Sequence, residues 1–372
     1  MSKQQKKKKL TRRQREIQRQ RQRQRLKRRR RRRVTVMVVE IIILCLLSVT
    51  AFALFKLGKL NHTSISNVKN NGLKQTGYTN VALFGLDSRG SDLGKGNRSD
   101  TIMIASINNE TKEVKLVSVY RDTLLKQNRE HYDKANAAYS VGGPETAVNM
   151  LNENLDLDIE DYVAVNFLAL ADVVDMVDGI NIDMTHDEVV HMNNYCVETS
   201  KVTGKKYKKI APEEAGNYRL NGVQAVSYAR IRYTEGGDYK RTERQRLVLE
   251  KVMNKLKKQD LVTINKIIDK VMPEVSTSFS TKEILQLATG IFDYTLEDTQ
   301  GFPTDLETPE KIPGYIGSYI VPKGLEENVI KLHKFLFVDE SYTPTDKLKE
   351  ISNTLMDMTE IYPSSDDGSD ET

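Results

Sequence analysis

The sequence predicts an α/β fold: a layered α-β-α domain with a central mixed sheet, preceded by one transmembrane helix. Short apolar runs typical of buried strands alternate with longer segments of helical period, which favours layers of helix and sheet. A separate apolar segment near the N-terminus predicts the membrane helix. The 372 residues are 38% hydrophobic and 29% charged. That mixture is typical of globular proteins, so collagen-like, fibrous and wholly disordered proteins are excluded.

The first 33 residues form a basic tail, in which 19 Lys and Arg accompany a single acid, Glu16. The net charge of +6 therefore hides an asymmetry, because the other 339 residues hold 38 basic and 50 acidic side chains. An acidic body excludes a generally basic nucleic-acid-binding domain, and no nucleic-acid partner is expected. A basic run before a membrane helix is attracted to anionic lipids, which is the preferred interpretation of the tail. Nucleic-acid contact by the tail is the minor alternative.

The predicted transmembrane helix covers residues 34–56. Its apolar run of 22 residues, 34–55, is interrupted only by Glu40 and would span about 33 Å as a helix. The basic block precedes it, so the N-terminus is expected in the cytoplasm and the rest of the chain outside, as a single-pass protein of the cell membrane. A cleaved signal peptide is less favoured, because the apolar run exceeds the usual length of a signal core.

Beyond the anchor, the polar residues 57–77 predict a linker. An extracellular domain is expected over 78–340, followed by a C-terminal extension, 341–372, with an acidic disordered tail. The chain's two cysteines, Cys45 and Cys196, would lie in the membrane and outside it, which excludes a disulfide scaffold and a cysteine zinc site.

Periodicity predicts the elements of this domain in order. Strands are expected at 79–87, 101–108, 113–120, 162–167 and 179–184, the second and third forming a hairpin. Helices are expected at 145–155, 168–176, 223–231, 241–257, 261–271, 282–292 and 325–337. The lysine-rich, weakly patterned segment 185–215 is expected to be an inserted loop that contributes to substrate choice.

Charged side chains concentrate at three predicted strand ends or turns. The first group is Asp87, Arg89, Arg98 and Asp100, and the second is Arg121 with Asp122. The third surrounds a Gly-Gly turn and comprises Arg230, Arg232, Arg241, Arg244 and Gln245. Two carboxylates suit Mg²⁺, and the rigid guanidinium fork suits phosphate. Surface ion pairs would explain each group alone, but three arginine groups in an acidic domain together favour an anion site.

Four motifs in order resemble those of the LytR-CpsA-Psr family. They read NVALFGLDSRG…NRSDTIMIASIN, VSVYRDT, KANAAYSVGGPETAVNMLNENLDLDIEDYVAVNF and LNGVQAVSYARIRY…GGDYKRTERQR. The resemblance covers about residues 78–250. It implies an enzyme that transfers a glycopolymer, such as teichoic acid, capsule or another wall polysaccharide, from a polyprenyl-pyrophosphate carrier to peptidoglycan. The expected link is a phosphodiester, formed on the outer face of a Gram-positive membrane.

The resemblance also implies roles for individual residues. Asp87 and Asp100 match the family's magnesium-binding acids. The residues that match positions around the lipid pyrophosphate are Arg98, Arg121, Arg230, Arg232 and Gln245. Arg89 and Arg241 fall in family motifs and are expected to bind the pyrophosphate as well. The expected catalytic residues are Arg98, Arg121 and Asp122.

Several alternatives remain open. Asp122 is expected either to orient or deprotonate the acceptor hydroxyl, or to hold a neighbouring arginine. The apolar runs 167–177 and 226–231 would line a slot for the polyprenyl chain or, more economically, form core. The competing functions are a membrane-bound regulator or attenuator of cell-wall genes and a wall-binding scaffold without turnover.

Overall fold

The computed structural model describes residues 61–88, 92–128, 131–280, 283 and 293–363, all within one compact unit, Lys59–Thr372. The basic tail, the predicted transmembrane helix, Arg89, the acidic tail from residue 364 and almost all of the helix predicted at 282–292 lie outside the described residues. Among the residues that are described, no helix combines the length and the apolar character needed to cross a membrane.

Strands build one large mixed sheet and three small two-stranded sheets. In chain order they are β1 Asn61–His62, β2 Tyr78–Leu86, β3 Ser99–Asn108, β4 Glu113–Val119, β5 Leu124–Asn128, β6 His131–Lys134, β7 Asp161–Asn166, β8 Ile180–Met184, β9 Gly216–Leu220, β10 Val275–Thr277, β11 Thr295–Phe302, β12 Leu306–Glu307 and β13 Val321–Pro322. The large sheet has the order β1-β10-β7-β2-β3-β4-β11. β2 is parallel to β7 and antiparallel to β3, so the predicted central mixed sheet is confirmed.

The predicted strands are confirmed, including the hairpin of β3 and β4, in which Met103 pairs with Ser118 and Ile107 with Val114. The strand predicted at 179–184 is β8, which pairs with β9 in a separate ribbon rather than with the large sheet. Local pattern predicted this strand, but the choice of partner depends on distant chain.

Helices follow most of the predicted positions. In chain order they are α1 Ala137–Leu155, α2 Phe167–Met176, α3 His186–Thr203, α4 Gly222–Ala229, α5 Gly237–Leu256, α6 Leu261–Val271, α7 Leu325–Phe337 and α8 Asp346–Thr359. The predictions for α6 and α7 agree at both ends. α1 begins eight residues before the predicted start and is kinked at Gly143, whose φ of 73° lies in the left-handed region.

The prediction of a loop over 185–215 is wrong for its first part, which is helix α3. Thr185 caps the helix by accepting a hydrogen bond from the Glu188 backbone N–H, and the Glu188 side chain accepts from the Thr185 N–H. The buried positions include Met192, Cys196 and Thr199. They follow a helical spacing, but several are polar or small, so the apolar signal that predicts an amphipathic helix is weak.

Helices cover both faces of the large sheet, which confirms the layered arrangement. On β2, Phe84 and Leu86 point into a core formed with α1, α7 and α8. Leu83 and Gly85, which alternate with them along the strand, face α2, α4 and α5 on the other side. The second face is backed by a separate apolar cluster that contains residues of α2 to α5 with β8 and β9.

Two segments expected outside the central domain contact it directly. In the predicted linker, β1 pairs with β10, and the backbone N–H of Lys69 donates to Asn149 Oδ1 of α1 at 2.6 Å. In the predicted C-terminal extension, α8 places Leu348 and Ile351 in the core of the first face.

Candidate active site

The candidate site lies at one edge of the large sheet. Strands β2, β4 and β7 end at this edge, and β3, which is antiparallel to its neighbours β2 and β4, begins there. Asp87 follows β2, Arg121 lies two residues after β4, and Asp100 lies at the start of β3. Strand direction therefore brings together residues that are 13 to 34 positions apart in the chain.

A β-bulge sets the position of Asp100. Gly85 pairs with Thr101 and Leu86 pairs with Ser99, so Asp100 is the extra residue in the register of β3. A bulge of this kind redirects a side chain out of the regular alternation of a strand. Here the Asp100 carboxylate lines a polar cavity.

Two arginines grip the Asp100 carboxylate. Arg121 Nη1 donates to Oδ1 at 2.9 Å, and Arg232 Nη2 donates to Oδ2 at 3.4 Å. Burial by itself would lower the pKa of Arg121, but Asp100, Asp122 and Asp238 together raise it above its usual value. Arg121 thus remains a fixed positive charge at the centre of the site.

Asp238 is a further acid of the site, which the sequence analysis did not assign. Its carboxylate oxygens lie 2.9 Å from Arg241 Nη1, 3.6 Å from Arg232 Nε and 3.9 Å from Arg121 Nε. Gly236 and Gly237, with φ of 86° and 47°, turn the chain into α5 immediately before it. A single acid in the first turn of a helix beside an arginine run was the available signal, but its contacts depend on the turn.

Arg241 is 2% exposed, although it lines the polar cavity. Burial, together with the nearby charges of Arg121 and Arg232, lowers the pKa of Arg241 to about 10, against the opposing effect of Asp238. Its Nη2 donates to the Asp100 backbone oxygen at 3.5 Å. At neutral pH it is therefore a buried cation that faces the cavity and is balanced largely by Asp238.

Asp122 lies behind Arg121 and does not line the polar cavity. Its Oδ2 accepts from Arg121 Nε at 3.2 Å, and its Oδ1 lies 2.8 Å from Lys134 Nζ. Burial would raise its pKa, but the hydrogen bond from Lys134 and the charge of Arg121 keep the pKa of Asp122 below its usual value. Both oxygens are thus engaged by cations.

Arg230 is held between aromatic rings at the other side of the cavity. Its guanidinium carbon lies 4.7 Å from the Phe167 ring centroid and 5.7 Å from that of Tyr195. Nη2 is 3.1 Å from Glu198 Oε2, and Nη1 donates to Thr199 Oγ1 at 3.1 Å. Three of these partners belong to α3, the segment expected to be a loop.

The remaining predicted residues divide between the cavity and its surroundings. Asp87, Arg98 and Gln245 line the polar cavity, with Asp87 and Arg98 exposed. Arg244 does not line it: Nε donates to Glu188 Oε1 at 2.9 Å and Nη2 to Thr234 Oγ1 at 2.6 Å, so Arg244 fastens α5 to α3. Arg89 lies outside the described residues.

The donor set suits a magnesium ion in kind and number. Asp87 and Asp100 are carboxylates that line one cavity, and Asp87 forms no ion pair with any described residue. Among the described residues, no group of three or more His, Cys, Asp and Glu is arranged to hold a metal. Mg²⁺ commonly uses only one or two carboxylates and completes its coordination with water and substrate phosphate.

An apolar cavity adjoins the polar one. The apolar cavity has a volume of about 270 Å³ and lies between the second face of the sheet and helices α2, α4 and α5. The polar cavity has a volume of about 360 Å³. Four residues line both cavities: Thr101, Phe167, Arg230 and Gln245. The arginine cluster and the apolar space therefore lie side by side and share these four residues as a common wall.

Aromatic and acidic groups from α3 and the loop after α4 complete the polar cavity. Tyr195, Glu198 and Tyr233 line it, and none of them was predicted as a site residue. The sequence carried no signal for Tyr195 and Glu198, because the helix that presents them was itself not predicted.

The model of the LytR_cpsA_psr family matches residues 50–300 of the chain. Among curated proteins, biofilm regulatory protein A of Streptococcus mutans is 32% identical over 210 residues, 53% of this chain and 49% of that protein. Polyisoprenyl-teichoic acid–peptidoglycan teichoic acid transferase TagU of Enterococcus faecalis is 30% identical over 211 residues, 56% of this chain and 64% of that protein. The matches span about half to two thirds of these relatives.

A solved structure of a Streptococcus agalactiae protein superposes on the chain with a TM-score of 0.59 and 25% identity. The match covers 75% of this chain and 93% of the other. The family resemblance drawn from the four motifs is thereby confirmed, and so is the mixed α/β fold that it implied.

Proposed function

The chain belongs to the LytR-CpsA-Psr family, and from this premise we propose that it transfers a glycopolymer from a polyprenyl-pyrophosphate carrier to peptidoglycan. The observation that carries the proposal is the pair of adjoining cavities. An apolar space of about 270 Å³ opens beside five cavity-lining arginines. A prenyl chain and a pyrophosphate are joined covalently in the same order. The Enterococcus faecalis relative is named as a teichoic acid transferase, which supports the same substrate class.

The proposed reaction is a phosphoryl transfer. A hydroxyl oxygen of peptidoglycan bonds to the sugar-bearing phosphorus and releases its proton to water. The bridging P–O bond breaks, and polyprenyl phosphate leaves with the bonding electrons. Negative charge grows on the bridging oxygen as that bond breaks, so preorganised cations next to it lower the barrier. Arg121 and Arg232 can stabilise this charge, because Asp100 and Asp238 orient both guanidinium groups before any substrate binds.

Asp122 acts in this proposal as a positioning residue for Arg121. A general base needs a free oxygen and a pKa near the working pH. Asp122 instead contacts Arg121 and Lys134 through its two oxygens, and its pKa is lowered. The alternative role in holding a neighbouring arginine is therefore the better supported one.

We also propose that Asp87 and Asp100 hold Mg²⁺. When bound, the ion would neutralise part of the pyrophosphate charge. To accept it, Asp100 would exchange at least one arginine contact, and the released guanidinium would become available to phosphate oxygens.

The cellular arrangement stays a proposal based on residues 1–56. The apolar segment 34–56 would anchor the chain once in the membrane, with the basic tail in the cytoplasm and the catalytic domain outside. Cysteine labelling of intact cells would test it: a residue introduced at Asn70 should react with an impermeant reagent, and one introduced at Gln14 should not.

The activity is tested with the full chain in detergent, a polyprenyl-pyrophosphate-linked saccharide, peptidoglycan oligomers and Mg²⁺, with the attached product detected by mass. Arg121→Ala should lower the rate by about a hundredfold to a thousandfold, the effect of removing one fixed donor to a developing charge. Arg219→Ala is the matched control, because Arg219 is exposed and pairs with Asp178 outside the site. Absence of product from the unaltered chain, despite binding of the carrier lipid, would contradict the proposal.

A regulatory role is the second candidate, because the Streptococcus mutans relative is named as a biofilm regulatory protein. Gene expression in the unaltered chain and in the Arg121→Ala variant distinguishes the regulatory role from the transferase. A regulator that works through its basic tail would keep its effect on gene expression in the Arg121→Ala variant, whereas an effect that depends on transfer would be lost.

A further inference from the structure

We infer that Tyr195 and Tyr233 form a binding subsite for a sugar ring, the first sugar of the lipid-linked donor. This inference rests on the proposed function and extends it from the lipid and pyrophosphate to the saccharide. Both residues line the polar cavity, where Tyr195 lies between the Arg230 guanidinium and the Tyr233 ring.

The exposure of Tyr233 indicates a ligand surface. Its side chain is 75% exposed, although it belongs to the wall of the cavity. Its ring lies 6.4 Å from Tyr195, with an interplanar angle of 24°, and 6.1 Å from His191, at 37°. The Tyr233 ring therefore lies beside two other rings and remains largely open to solvent, where it can contact a ligand.

Planar groups form a column that leads away from the apolar cavity. Phe167, at the boundary of the two cavities, contacts the Arg230 guanidinium; Arg230 contacts Tyr195, and Tyr195 stacks on Tyr233. Passing outward, a ligand meets apolar surface, then the Arg230 cation, then the half-buried Tyr195 ring and the exposed Tyr233 ring. The donor has the same sequence of parts: prenyl chain, pyrophosphate, sugar.

The chemistry of the rim suits a pyranose. Aromatic faces carry partial negative charge and attract the polarised C–H groups on one face of a sugar ring. Glu198 lines the same cavity, and its side chain is about half exposed. Its carboxylate can accept hydrogen bonds from sugar hydroxyls. The base of the cavity, in contrast, is lined by arginines, which suit phosphate.

We assign the bound sugar to the donor rather than to peptidoglycan, because the donor's first sugar is directly next to the pyrophosphate. The donor's first sugar is attached to the pyrophosphate itself, so a phosphate held at Arg230 places that sugar within reach of the adjacent Tyr195 and Tyr233. A sugar of peptidoglycan has the same ring chemistry, and the experiment therefore distinguishes the two sources.

The test measures binding by the full chain in detergent, using calorimetry with two probes of equal charge: the methyl ester of prenyl pyrophosphate, and prenyl pyrophosphate carrying one hexose. The unaltered chain should bind the hexose-bearing probe about fivefold more tightly, the order expected for one aromatic stacking contact. Tyr233→Ala should abolish this preference without changing affinity for the sugar-free probe. Tyr233→Phe, which keeps the ring, should retain the preference. Tyr362→Ala, at an exposed tyrosine that lines neither cavity, is the control.

Three outcomes would overturn the inference. Equal affinity of the unaltered chain for both probes would leave the proposed function standing and remove the sugar subsite. Unchanged donor binding by Tyr233→Ala, together with a higher KM for peptidoglycan oligomers, would assign the rings to the acceptor. Failure of the unaltered chain to bind either probe would overturn both the subsite and the proposed function.

Discussion

The two faces of the large sheet differ in how completely they are filled. On the first face, the Phe84 and Tyr139 rings meet edge to face at 5.1 Å within a continuous core. On the second face, Leu83 and Met103 border an apolar cavity. An unfilled apolar space forgoes dispersion contacts, so dense packing is the default for protein interiors. The first face is therefore covered by a filled core, whereas the second keeps apolar space that can accommodate a ligand.

The largest difference in stability between the two faces is expected on β3, where neighbouring residues point to opposite faces. Ile104→Ala should lower the free energy of unfolding by about 2–5 kcal/mol, because it removes buried side chain from a filled core. Met103→Ala should cost less, since Met103 already borders the cavity. Urea unfolding followed by circular dichroism measures both. Equal losses would show that the two faces contribute alike.

The second prediction concerns the charged end of the unfilled face. Asp122→Asn should lower the transfer rate by about tenfold, because Arg121 keeps its contact with Asp100 and loses only part of its support. A general base would lose more, up to about ten-thousandfold. Transfer rates measured beside Asp183→Asn, a substitution on β8 outside both cavities, decide between the two roles. A loss near the larger value would reinstate Asp122 as the base.

The third prediction is that His333, buried on the filled face, makes the stability of the fold depend on pH. Burial lowers the pKa of His333, whose Nε2 lies 2.9 Å from the Leu155 backbone oxygen. The unfolded chain therefore binds a proton at higher pH than the folded chain, and stability is lost as pH falls below about 6.5. The expected slope is at most about 1.4 kcal/mol per pH unit.

His333→Phe should reduce this slope while keeping an aromatic ring against Tyr342, which stacks on His333 at 3.6 Å. His131→Gln, at an exposed histidine, is the control. Urea unfolding between pH 5 and about pH 8 supplies the slopes, and an unchanged slope in His333→Phe would assign the pH dependence to other groups.

The smallest effect is expected on β7, where Val163 faces the cavity and Ala164 faces the filled core. Val163→Ile should raise the free energy of unfolding by about 0.5–1 kcal/mol, because the added methylene enters empty apolar space. The same change should weaken binding of a prenyl pyrophosphate. Ala164→Val adds two carbon atoms to the opposite, filled face and should destabilise the fold by about 1–3 kcal/mol. Stabilisation by both substitutions would contradict the contrast.

Sequence pattern was sufficient to predict an element and its site residues where one short segment carries both. The strands β2, β3, β4 and β7 have continuous apolar runs, and charged residues stand at their ends, so the chemistry was found together with the strands. Helix α3 was missed because its buried side includes Asn193, Cys196 and Thr199, which weaken the apolar periodicity. The site residues that it presents, Tyr195 and Glu198, were missed with it.

By itself, the sequence determined the α/β class, the order of most elements, the family, the arginines of the candidate site and its acids Asp87 and Asp100, because all of these are written in local pattern or motif. Only the tertiary structure decided which charges meet. The bulge at Asp100 and the Gly236-Gly237 turn before Asp238 bring two acids to Arg121 and Arg232. Only the tertiary structure left a cavity beside them, because empty space arises from the packing of distant helices on a sheet and has no counterpart in the order of residues.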